Sequence, residues 1–184
     1  MKRLWPAIAC VLLVADFRAN AQQTRQEVTR SEDPAADARP NSSKVPDVYA
    51  VTTAFKRVIV VRLKYKTDLL AGIEKIVKQE NIKNAVFLSA MGSVRNYRVH
   101  VVNNGDFPSK DLFVSDPSAP ADILNVGGYV MNGRIHAHIT LATGDKAFGG
   151  HLESGTSVFT FAAITLGVVG DDADFSHLDD KTYR

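Results

Sequence analysis

The sequence predicts an α+β domain, a mostly antiparallel sheet with one flanking helix. Three observations carry this. Apolar residues recur with helical spacing over Asp68 to Asn81. Between Tyr49 and Val169, five to seven other segments are either continuously β-branched or alternate apolar and polar. Asn132-Gly133 joins two of these segments and is the strongest short hairpin signal a sequence offers. With 184 residues, 45% of them apolar and 23% charged, the chain can bury one real core and has length to spare.

The spare length lies at the two ends. Lys2 and Arg3 lead into an apolar run from Leu4 to Ala15, and Ala19-Asn20-Ala21 is a small-x-small cleavage site. Residues 1–21 therefore read as a secretory signal peptide, too short to span a bilayer, and the protein is expected to be secreted or periplasmic with no membrane attachment after cleavage. Cys10, the single cysteine, lies within the run without a Leu-x-x-Cys lipobox. The processed chain then has no thiol, no disulfide and no thiolate ligand, so any metal must rest on histidine and carboxylate. The leader carries Lys2, Arg3 and Arg18 against Asp16, which turns 22 basic and 20 acidic side chains into 19 and 19. A neutral chain has no general electrostatic attraction to nucleic acid or anionic membrane.

Residues 22–47 are rich in Gln, Arg, Asp, Ser and Pro and are expected to be a flexible linker, because they bury too little to offset their ordering entropy. The folded domain is expected over 48–170. Val58 to Leu63 is a β-branched run that suits a strand covered on both faces. Thr67 or Asp68 caps the helix, whose stripe is Leu69, Leu70, Ile73, Ile76 and Val77. Ala85 to Ala90 is a second strand that breaks at Met91-Gly92-Ser93, and Tyr97, Val99 and Val101 mark a third, half-buried one. Three prolines make Phe107 to Pro120 mostly loop. Ile123–Met131 and Arg134–Thr143 form the hairpin, Ser157–Val169 is a buried central strand, and residues 171–184 form an acidic surface tail that includes His177.

The chemistry concentrates in Ile135-His136-Ala137-His138-Ile139-Thr140-Leu141 and in Gly149-Gly150-His151. Alternation along a strand puts His136 and His138 on one face, roughly 6–7 Å apart, and the apolar residues on the core face. His151, arriving after two glycines that permit close backbone approach or positive φ, would complete a three-nitrogen metal site with an open position, as catalytic zinc uses. The bland alternative is a hydrogen-bonded polar cluster or part of an interface between subunits. Zinc suits neutral imidazole without thiolate, and nickel, copper or iron would also accept such a site. An open position serves hydrolysis or the polarisation of a carbonyl. Glu153 is the candidate general base or carboxylate behind the ligands, against the plainer reading of a solvated loop residue. Arg62, Arg95 and Arg98 are candidates to hold an anionic substrate, against the commoner reading that strand arginines snorkel or pair on the surface; His100 reads as an exposed histidine, with membership of the site as the lesser alternative, and Ser89 and Ser93 lack the partners of a serine nucleophile.

Arg62-Leu63 before the helix opening at Asp68-Leu69, then Ser89-Ala90-Met91-Gly92-Ser93, Asp122-Ile123-Leu124, Ile135-His136-Ala137-His138 and Gly149-Gly150-His151-Leu152, stand in the order of the plants and prokaryotes conserved (PPC) domain. The chain resembles that family over Tyr49 to Val169. The resemblance implies an antiparallel sheet with flanking helices, a homotrimer, and a fold like that of acetolactate decarboxylase and related zinc ester hydrolases. By that analogy His136, His138 and His151 are the metal ligands. It also implies a DNA-binding label, although the chain has no Arg-Gly-Arg AT-hook core and no Gly-Arg-Phe before Asp122. Two functions are therefore carried forward. One is an exported metal protein, with zinc the expected ion, acting on a small polar molecule such as an ester, lactone or keto acid. The other is a non-catalytic module that binds DNA or another protein.

Overall fold

The architecture comes from a computed structural model that describes residues 24–184; the leader expected over 1–21, Cys10 included, lies outside the described residues. The elements run β1 (Arg25–Arg30), α1 (Pro34–Asp37), β2 (Phe55–Lys64), α2 (Leu69–Gln79), β3 (Ala85–Val102), β4 (Lys110–Asp116), β5 (Ala121–Met131), β6 (Arg134–Ala142), β7 (Ala147–Leu152) and β8 (Ser157–Val169). Among the described residues all eight strands join one sheet, and every pairing is antiparallel. The expected α+β class is what the chain adopts.

Helix α2 forms where its periodicity predicts. The Asp68 carboxylate accepts the Ala71 N–H at 3.0 Å, which satisfies one orphan donor of the first turn. Leu69, Ile73 and Val77 are buried in the core, and the helix packs against β2 and β8. The core beneath it is built from Leu63, Phe87, Val94, Ile139, Leu141, Ile164 and Leu166.

Strand β3 is the hub. It does not break at Met91-Gly92-Ser93 but runs for 18 residues, and register shifts there bend it. Its first half pairs with β5 and β8, its second with β4 and β7. Since β5 pairs with β6 and β6 with β7, the strands β3-β5-β6-β7 close on themselves. Gly92 makes the bend possible: its φ is +132°, and a Cβ there would lie 2.1 Å from the Phe161 carbonyl oxygen.

Four further expectations need correction. The linker over 22–47 contains β1, paired with β4 from Arg25↔Ser115 to Arg30↔Lys110. An added edge strand satisfies its backbone through the ladder and needs little apolar side-chain burial, so composition does not reveal it. The loop expected over Phe107 to Pro120 contains β4, because its prolines flank the strand and do not interrupt it. Strand β2 is covered on one face only: Val61 and Leu63 are buried, while Val58 and Val60 are exposed. The tail is not merely superficial, because Ala173 and Phe175 are buried with Met131 and Val169.

Candidate metal centre

The hairpin fixes which way the histidines point. Asn132 and Gly133 both have positive φ, 50° and 79°, as a tight turn matching the sheet twist requires. The Asn84 side chain accepts the Asn132 N–H at 3.0 Å. The register that follows sets Tyr129 opposite His136 and Gly127 opposite His138. Ala137, Ile139 and Leu141 enter the core, so His136 and His138 face the other way.

Strand β7 brings the third ring. His138 pairs with His151, and His151 pairs in turn with His100 on β3. Three adjacent strands thus present a row of imidazoles. The two glycines allow this by close approach, not by unusual φ. A Cβ on Gly149 would lie 2.1 Å from the Ile139 oxygen, and one on Gly150 would lie 2.4 Å from the His100 oxygen.

The ring centroids of His136 and His138 are 5.2 Å apart, and those of His151 lie 4.7 Å and 5.4 Å from them. The Nε2 atoms of His136 and His138 are 3.1 Å apart. One nitrogen from each of His136, His138 and His151 falls within 4.8 Å of the others. The sequence-predicted trio is therefore together. A second group, His100, His151 and Glu153, meets the same distance limit and shares His151.

Electrostatics favour neutral rings at the centre. Burial first, then the neighbouring His100 and His136, push His151 down to about 4. Burial, then His136 and His100, also lower His138. Neutral imidazoles offer lone pairs, which is the state a metal requires. Three imidazole donors with no thiolate fit zinc or a neighbouring transition metal.

Each side of the cluster carries a carboxylate. Glu153 Oε1 lies 2.7 Å from His100 Nδ1. Asp179 Oδ2 lies 2.9 Å from His136 Nδ1 and also binds Arg134 Nη1. Burial opposes ionisation of Asp179, but its bonds to His136 and Arg134 prevail and hold it below the usual carboxylate range. Asp179 escapes a reading of the sequence, and His100, expected to be exposed, is instead half-buried beside Glu153 and His151. His100 does alternate out of the core set, but its register opposite His151 is a tertiary fact. Asp179 sits in an acidic tail with no motif to mark it.

The histidines floor a cavity of about 360 Å³, walled by Val102 and Phe107 and by Asp37, Asp180, Lys181 and Arg184. Arg184 is committed to structure: it donates to the Asp37 carbonyl and lies over the Phe107 ring. The arginines expected to hold substrate lie elsewhere. Arg62 packs over Phe161, Arg95 over Tyr65 and Arg98 over Phe113, and none of the three lines this cavity. Ser93 is hydrogen-bonded to Thr160 at 2.6 Å.

Residues 51–170 match the model of the Plants and Prokaryotes Conserved (PCC) domain. Among solved structures, the chain is 21% identical to a metal-containing protein of Archaeoglobus fulgidus, with a TM-score of 0.57, covering 73% of this chain and 95% of that one. It is 18% identical to a plant- and prokaryote-conserved protein of Pyrococcus horikoshii, with a TM-score of 0.55, covering 68% and 87%. At these identities the likeness is one of fold. Over 129 residues it is 26% identical to the bifunctional protein GlmU of Synechococcus sp. (strain JA-3-3Ab). That match takes in 70% of this chain and 20% of the relative, so the chain spans about a fifth of that protein's length.

Proposed function

The chain belongs to the Plants and Prokaryotes Conserved domain family, and on that premise we propose that it is an exported metal protein whose His136, His138 and His151 hold zinc beside a small-molecule cavity. The observation that carries the reading is the convergence of three imidazole nitrogens within 4.8 Å of one another. The Archaeoglobus fulgidus relative is described as metal-containing, which supports a metal in this fold.

Zinc held there would supply Lewis acidity toward a carbonyl or a water of lowered pKa. The chain's own residues do the rest. Glu153 fixes the orientation of His100, which lines the same cavity and is placed to take or give a proton. Val102 and Phe107 give the cavity an apolar edge, and Lys181 offers a cation to an anionic group. The substrate class that suits this set is a small polar ester, lactone or keto acid.

Self-association belongs to the same proposal. Val58, Val60, Leu88, Met91, Leu124 and Phe159 are exposed on neighbouring strands, an apolar surface that a second and third copy would cover.

Elemental analysis of the purified protein tests the site. One zinc per chain, lost in a His136→Ala/His138→Ala double variant, supports it; a chain that stays metal-free after zinc loading overturns it. Release of mature protein beginning at Gln22 tests export, and light scattering tests the trimer. Salt-dependent binding of duplex DNA at physiological ionic strength would favour a binding module instead.

A further inference from the structure

We propose that Asp179 is a positioning residue that sets the tautomer of His136 and so couples docking of the C-terminal tail to capture of the metal. The inference rests on the metal reading of the three histidines. His136 uses its two nitrogens in opposite directions: Nε2 lies 3.1 Å from His138 Nε2, and Nδ1 lies 2.9 Å from the Asp179 carboxylate. A carboxylate accepts only, so it draws the ring proton to Nδ1 and leaves the Nε2 lone pair facing His138, where an ion shared by the two rings would sit.

The carboxylate is itself held in place. Arg134, two residues before His136, binds the same Oδ2, and the Asp179 side chain is only 18% exposed. Phe175, buried four residues earlier, anchors this stretch against the Tyr129 ring at 5.9 Å. Asp179 lies beyond the family-matched span, which ends at residue 170. The orienting group is thus supplied by a segment outside the domain that supplies the ligands.

Two measurements on the full chain test this. Long-range ¹H–¹⁵N NMR of the metal-free protein is expected to show His136 with its proton on Nδ1, and Asp179→Ala is expected to give a mixture of tautomers while His138 is unchanged. Zinc titration against a chromophoric chelator is expected to show affinity falling 10–100-fold in Asp179→Ala, the usual range for losing such a partner, with part of it recovered in Asp179→Glu. A His136 tautomer indifferent to Asp179→Ala overturns the proposal, as does zinc affinity equal to wild type. The failures are distinguishable. Wild type that takes up no zinc overturns the metal reading itself, whereas uptake that Asp179→Ala leaves unchanged overturns only the role of Asp179.

Discussion

His151 has two unlike flanks. On the β6 side stand His136 and His138, with Asp179 behind His136. On the β3 side stands His100, with Glu153 on its Nδ1. The β6 flank offers two imidazoles to an ion shared with His151; the β3 flank offers one imidazole and a carboxylate already bound to it. A dense donor set suits an ion, and a carboxylate-oriented single imidazole suits proton handling. Both flanks need His151, which makes it the point at which to break the arrangement.

The largest expected effect is therefore His151→Ala, which removes the shared ligand. Zinc affinity should fall at least about 100-fold in a chelator competition, beyond the range for losing an orienting partner. His100→Ala should instead leave affinity within about tenfold of wild type while removing the proton-handling group. Equal losses in the two variants would show that the ion belongs to His100, His151 and Glu153.

The glycines separate the flanks by backbone. Gly149→Ala would press a methyl group on the Ile139 oxygen of β6, and Gly150→Ala would press one on the His100 oxygen of β3. Each should cost about 1–3 kcal/mol in urea unfolding. Gly149→Ala should weaken zinc uptake more, because it parts the three ligands named above.

Acid gives a smaller effect with a definite sign. The folded metal-free chain binds a proton at His151 less readily than the unfolded chain, about 4 against the ordinary 6.5. His151 thus costs no stability above pH 6.5 and progressively more as pH falls toward about 4. Urea midpoints of the metal-free protein should decline over that window, and His151→Ala should flatten the decline. The smallest effect belongs to Arg134→Ala. It removes an ion pair in which Arg134 itself is largely exposed, worth about 0–1 kcal/mol, so zinc affinity should drop only a few-fold.

What the sequence disclosed follows a physical divide. Helix α2, the Asn132-Gly133 hairpin and strand β8 were legible because their periodicity and turn chemistry are local. His136 and His138 were legible because alternation assigns them one face. His151 required the glycine pair and the family's motif order. Strand β1 was hidden because an edge strand held by its backbone leaves no apolar signature, and β4 was hidden by the prolines around it. The burial of His100 beside His151 and the place of Asp179 were illegible because register across β3 and β7, and the return of the tail to Arg134, are decided by tertiary packing.

The row His138, His151 and His100 runs across β6, β7 and β3. An ion gripped by His136, His138 and His151 would tie β6 to β7 through side chains, beyond the backbone ladder that already pairs them. It would act as a rivet in the closed β3-β5-β6-β7 circuit, adding about 2.7 kcal/mol of resistance to unfolding at a hundredfold excess over its dissociation constant. Stripping it with a chelator would then loosen the wall of the barrel-like ring as well as emptying the cavity floor.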